Sequence, residues 1–183
     1  MGTRAMVGMQ IGKNKYLSVY THWDGYPSHH LNILCHHYNT KEKVAELLSH
    51  GDISSLNVRC DGADGLNRRD ANGLITKHTF DTPVKDQTVY YGRDRGEHNV
   101  GAKTHKSLTR FNQEEYGYLF KDGQWWTVQG ETLTPADAYL KNGEFQDEVN
   151  VIEGDCVRIT TSEKTLEDRV MLGLDKFVDK SNK

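Results

Sequence analysis

"RAMVGMQIGKNKYLSVYTHW", residues 4 to 23, holds two apolar runs that alternate with period two on either side of Gly12-Lys13-Asn14. Ala5, Val7, Met9 and Ile11 share one face of the first run. In the second, Tyr16, Ser18, Tyr20 and His22 share one face, with Leu17 and Val19 opposite. Successive strand side chains point to opposite faces, so this alternation around a Gly/Asn turn predicts a β-hairpin. Asp24-Gly25 and Pro27 then end the second strand, because Gly allows positive φ and Pro lacks the ladder donor.

Helical spacing takes over after that break. Ser28 is a candidate N-cap, and Leu31, Leu34, Cys35 and Tyr38 follow at i, i+3, i+4 and i+7, one apolar stripe of a short helix. Thr40 caps a second helix, "KEKVAELLSHG", in which Val44, Leu47 and Leu48 face the core and Gly51 supplies the stop. "VRCDGADGLNRRDANGLI", residues 58 to 75, reads as a long charged surface loop. "TKHTF" and "TVYYGRD" read as strands.

"EEYGYLFKDGQWWTVQG", residues 114 to 130, is the plainest hairpin, turning at Lys121-Asp122-Gly123. Adjacent Trp125 and Trp126 point to opposite faces there, so one is expected in the core and the other at the surface. "LTPADAYLKNG" predicts a short helix with Thr134 as cap, Pro135 at its first position and Gly143 past its end. "VIEGDCVRIT" gives a further strand or strand pair, and residues 162 to 180 a last helix striped by Leu166, Val170, Leu174 and Phe177.

Strands and helices in this order lack regular β-α alternation. The expected class is α+β: a mainly antiparallel sheet built from β-hairpins, packed against an αα-hairpin and a C-terminal helix. Residues 1–130 form the expected core domain, with 131–183 an extension packed on the same domain.

The 183 residues are 36% hydrophobic and 27% charged, with net charge −3 and a pI near 6.3. A chain this long buries roughly 70% of its unfolded surface and needs no disulfide or metal staple. The slight negative charge argues against a general nucleic-acid binder, although it leaves room for a local basic patch. Cys35, Cys60 and Cys156 are odd in number and form no CxxC pair, which points to a reducing compartment. Neither a signal-peptide pattern nor a membrane-length apolar run is visible, so a soluble intracellular protein is expected.

Five of the nine histidines fall between residues 18 and 40, which raises a metal site. His29 and His36 are two helical turns apart, as are His30 and His37, and neither pair has the i, i+4 spacing at which two His converge on one ion. No metal site and no cofactor are therefore expected.

"HWDGYP" offers His22 and Asp24 on alternate residues of a strand end, with Trp23 and Tyr26 beside them. A His near a carboxylate can act as a general base or hold a phosphate, whereas Asp-Gly by itself simply shapes a turn. "YYGRDRGEHN", residues 90 to 99, is the second candidate. Arg93 and Arg95 at i, i+2 on extended chain could clamp a phosphate or carboxylate, or the segment could be a charged turn in which Asp94 merely pairs with its Arg neighbours. Lys103, His105 and Lys106 extend the positive character. No P-loop, GxSxG, HExxH or calcium-loop motif occurs.

Taken together, "RAMVGMQ", "YTHWDGYPSHHLNILCHHYNTKEKVAELLSHGDISSL", "DTPVKDQTVYYGRDRGE" and "EEYGYLFKDGQWWT" resemble a family of small proteins of tailed bacteriophages and prophage-bearing bacterial genomes. The resemblance covers residues 4 to 127, carried mostly by the "HWDGYP" and "RDRGE" segments. It implies an accessory gene product acting in the host bacterial cytoplasm and dispensable for virion assembly. Proteins of that kind modulate the host, including by blocking its defences. The expected function is thus binding of a host protein or a nucleotide-like small molecule through His22, Trp23, Asp24, Tyr26, Arg93, Asp94, Arg95 and Glu97. The alternative is an enzyme acting on phosphate esters or nucleotides, with His22 as acid/base, Asp24 orienting it and Arg93 and Arg95 holding the phosphate.

Overall fold

A computed structural model describes residues 2–61, 68–69, 75–76, 84–149 and 159–160. β1 (Ala5–Gly12) and β2 (Lys15–Trp23) pair antiparallel, with Val7 opposite Val19 and Met9 opposite Leu17. Asn14 takes φ +50° in the turn, a conformation Asn tolerates better than most residues. α1 (Pro27–His37) and α2 (Lys41–Ser49) follow. Thr40 caps α2 as expected, its hydroxyl accepting from the Lys43 amide at 3.2 Å. The N-cap of α1, however, is Tyr26 rather than Ser28. Pro27 fills the first helical position, and the Ser28 amide is satisfied by the Asp147 carboxylate at 2.9 Å. A carboxylate from 119 positions away thus does what the local serine was expected to do.

The remaining strands are β3 (Ile53–Ser55), β4 (Arg68–Arg69), β5 (Ile75–Thr76), β6 (Val89–Tyr90), β7 (Lys103–His105), β8 (Tyr116–Lys121), β9 (Gln124–Gln129), β10 (Thr132–Pro135), β11 (Leu140–Lys141), β12 (Glu144–Phe145) and β13 (Ile159–Thr160). A four-residue helix, α3 (Leu108–Phe111), precedes β8. The main sheet runs β13-β10-β9-β8-β1-β2-β3-β6, and β7 joins β2 beside β3. The fold is α+β as expected, but the sheet is mixed: β1 pairs β8 and β2 pairs β3 in parallel, while its other strand pairs are antiparallel. Each parallel pair needs a long connection, and α1 and α2 supply the one between β2 and β3.

Both faces of the sheet are covered along β9, β8 and β1. On one face Ala5, Val7, Met9 and Val19 pack with Leu31 and Leu34 of α1 and Val44, Leu47 and Leu48 of α2. The other face holds a second core, where Tyr16, Leu119, Trp126 and Val128 meet Leu108 and Phe111 of α3. This double cover corrects the expectation for the tryptophans. Trp125 enters the first core and Trp126 the second, at 3% and 1% exposure. Their indole N–H groups donate to the Tyr38 and Lys121 carbonyls at 2.8 and 3.0 Å, so neither is buried with an unmet donor.

"LTPADAYLKNG" also departs from expectation. Thr134 and Pro135 end β10, Ala136–Tyr139 make one 3-10 turn, and β11 and β12 then form a small hairpin. Asn142 and Gly143, at φ +54° and +81°, are the two left-handed residues that such a turn requires, so Gly143 serves a hairpin rather than a helix end. The 3-10 turn and β12 place Ala136, Ala138, Tyr139 and Phe145 in the first core. The helix expected over 162–180 and Cys156 lie outside the described residues, as does most of the loop expected over 58–75. Among the described residues no helix is long and apolar enough to cross a membrane.

Candidate functional site

Beyond Trp23 the chain reverses through Asp24, whose φ of +56° is left-handed. Gly25 then comes so close to the first strand that a Cβ would lie 2.6 Å from the Thr3 carbonyl oxygen and 2.9 Å from Ala5 Cβ. Its amide donates to that Thr3 oxygen at 2.7 Å. Two buried side chains hold the loop from below. His30 Nδ1–H donates to the Asp24 carbonyl at 2.8 Å, and the Tyr118 hydroxyl donates to the Gly25 carbonyl at 2.5 Å. The two rings stack with centroids 5.2 Å apart.

His30 is wholly buried. Burial pushes its pKa down to about 3, neighbouring His29 adds to the depression, and the bond to Asp24 opposes it. The histidine is therefore neutral, with its proton on Nδ1. The other helix histidines with ring bonds also spend them on backbone: His29 on Leu56 and His36 on Asn32. Among the described residues no three of His, Cys, Asp and Glu converge as a metal site.

His22 does not take Asp24 as its partner. Its Nδ1 lies 2.6 Å from the Tyr20 hydroxyl, and its ring stands perpendicular to Trp23 with centroids 4.6 Å apart. The Asp24 carboxylate instead faces Tyr26, whose phenol pKa it raises. The general-base dyad of the enzymatic reading is thus not assembled, because the left-handed turn at Asp24 breaks the strand alternation that would have put both side chains on one side.

The second loop is equally specific. The Asp94 carboxylate accepts from the Tyr90 amide at 2.8 Å and from Arg93 Nε and Nη2 at 2.9 and 3.1 Å. Arg93 also donates to the Cys60 and Thr88 carbonyls at 2.6 and 3.0 Å, and its guanidinium sits 4.8 Å from the Tyr90 ring centroid. Four of its five donors are consumed inside the protein. Arg93 is therefore a clamp that fixes the loop after β6, while Arg95 pairs with Glu97 at 2.8 Å in the open. The two arginines do not converge on one anion.

The sheet nevertheless brings the two segments to one place. Thr21 pairs with Ile53 and Ile53 with Tyr90, so residues one position away from each project to the opposite face. That face carries Tyr20 and His22 from β2, Asp52 just before β3, Ser54 within it, and Tyr91 after β6. Asp52 accepts from the Tyr20 amide at 2.9 Å, and Tyr91 hydrogen-bonds Ser54. Burial raises the pKa of Tyr20, Tyr91 and Asp52, with the Tyr20 amide and Lys103 opposing the rise at Asp52. Arg95 and Glu97 lie close enough to Tyr91 to act on its phenol.

Half-buried and polar, this patch is bordered by Trp23, which at 39% is one of two exposed large apolar side chains among the described residues. One strand separates His22 from the loop after β6, about 10 Å at ~4.8 Å per strand spacing, too far for one phosphate to meet both. Tyr20, Asp52, Ser54 and Tyr91 were not among the expected site residues. The alternation in β2 pairs Tyr20 with His22, but nothing in the sequence reveals that β3 lies parallel to β2 and β6 beyond it. No family model, no curated protein and no solved structure matches the chain.

Proposed function

We propose that this protein is a non-enzymatic accessory protein of a bacteriophage or prophage, which acts in the host cytoplasm by binding a host protein. Interference with a defence system is one form that such host modulation takes. The phage setting rests on the resemblance of residues 4 to 127. The binding mode is supported by one observation: the "HWDGYP" and "GRDRGE" segments border a single polar face beside exposed Trp23. Trp, Tyr and Arg are the side chains that dominate binding energy at protein interfaces, and this patch offers Trp23, Tyr20, Tyr91 and Arg95 together.

Hydrolysis of a phosphate ester has less support. His22 bonds a phenol rather than a carboxylate, and the Arg93 donors are engaged internally. The test is affinity capture from host lysate with wild type and a Trp23→Ala/Arg95→Glu variant, accompanied by native mass spectrometry for copurifying nucleotides. A host protein retained by wild type and lost by the variant supports the proposal. Equal recovery on both, or a bound nucleotide with no protein partner, refutes it.

A further inference from the structure

A second polar feature lies at the opposite end of β2, eight residues from Trp23 and so about 26 Å away at ~3.3 Å per residue. β7 runs antiparallel to β2 with Tyr16 opposite His105, Leu17 opposite Thr104 and Ser18 opposite Lys103. Lys15 and Lys106 are the next residues beyond the last pair of this register and line the same cleft. Like charges gathered in one place repel one another. Lys13, in the adjoining β1–β2 turn, adds a third ammonium group. The three lysines line one cleft of ≈ 570 Å³ with Asn14, Thr104 and His105, and none of its lining residues is acidic. Among the described residues no carboxylate comes within ion-pair distance of Lys13, Lys15 or Lys106. On a chain of net charge −3, this is a concentrated, uncompensated positive site.

We infer that this cleft binds a phosphate chain, the polyphosphate portion of a nucleotide or an inorganic polyphosphate, and that Lys13, Lys15 and Lys106 are its ligating residues. Ammonium groups act as point charges toward phosphate oxygens, and the amide of Asn14 and the hydroxyl of Thr104 add neutral donors. The volume falls within the ordinary range for a small-ligand site. No aromatic side chain other than His105 lines the cleft, so recognition falls on the phosphates rather than on a stacked base. The protein's overall negative charge weighs against a long nucleic acid as the occupant. The cleft shares no residue with the partner-binding face.

The test is isothermal titration of the full chain with inorganic tripolyphosphate, ATP and a single-stranded oligonucleotide at low and physiological salt. Lys15→Glu and Lys13→Gln variants are run in parallel, with thermal unfolding as the check on folding. Tripolyphosphate and ATP are expected to bind, more weakly as salt rises, and Lys15→Glu is expected to weaken both by about tenfold or more. Because Lys15→Glu puts a carboxylate among the remaining ammonium groups, it is also expected to raise the melting temperature. Lys13→Gln, in an exposed turn, should weaken binding with melting unchanged. Three results would each overturn the inference: no binding of either phosphate chain, binding untouched by both variants, or an oligonucleotide bound in clear preference to tripolyphosphate.

Discussion

Replacing Arg93 by Met separates a clamp from a ligand-binding residue. The Arg93 side chain is 25% exposed and Asp94 only 3%, so most of their contact is shielded from water. Without the guanidinium, the Asp94 carboxylate keeps the Tyr90 amide, while the Cys60 and Thr88 carbonyls each lose a donor. Removing one partner of a buried pair costs ~3–5 kcal/mol, and the partial exposure of Arg93 trims this to about 2–4 kcal/mol. With a urea dependence of ~2 kcal/mol per molar, the unfolding midpoint should fall by about 1–2 M. The double variant Arg93→Met/Asp94→Asn should recover part of the loss, because it removes the stranded charge as well. Equilibrium urea unfolding followed by tryptophan fluorescence reads all three, since Trp125 and Trp126 are buried in separate cores. An Arg93→Met protein as stable as wild type would refute the clamp, and partner binding lost in that protein would return Arg93 to the binding surface.

Other expectations follow from the loop above β2. His30 is neutral in the folded state with a pKa near 3, against 6.5 when unfolded, so below pH 6.5 the unfolded chain takes up a proton that the native one excludes. Its contribution is fully present above pH 6.5 and is lost as pH falls from there toward 3, by up to ~1.4 kcal/mol per pH unit. His50 and His105, also depressed mainly by burial, act in the same direction. Stability measured from pH 7 to 5 should fall more steeply in wild type than in His30→Gln, and identical slopes would contradict the assignment. At Asp24, the left-handed backbone favours Gly over Ala by about 1 kcal/mol. Asp24→Gly should therefore melt at or above wild type and Asp24→Ala below it, as differential scanning calorimetry would register.

The sequence reveals what is encoded locally. Alternation around Gly12-Lys13-Asn14 and around Asp122-Gly123 marks two antiparallel pairs, and the Thr40 cap with its Val44, Leu47 and Leu48 stripe marks α2. The parallel pairings of β1 with β8 and β2 with β3 have no such signal, because partners more than thirty residues apart share no turn that sets their register. Failure at "LTPADAYLKNG" has the same root in ambiguity. Pro135 suits the first turn of a helix and equally the end of a strand, and Asn142-Gly143 suits a helix stop or a hairpin turn.

For the candidate site, the residues nearest one another in sequence were visible and their relations were not. His22 and Asp24 are two apart yet diverge at a left-handed residue, whereas Tyr91, seventy-one positions from Tyr20, lies close enough to raise the pKa of its phenol. Arg93 looked like a ligand clamp because its targets, the Cys60 and Thr88 carbonyls, are backbone groups that leave no mark in sequence.

The most direct test of the partner-binding face is a titration of the captured host protein against immobilised wild type and Trp23→Ala/Arg95→Glu. Exposed Trp and Arg at such a face each contribute on the order of 1–2 kcal/mol, about 2–4 kcal/mol together, so the variant should bind about thirtyfold to nearly a thousandfold more weakly while melting within a few degrees of wild type. Equal affinity with unchanged melting would place the interface elsewhere and contradict the account.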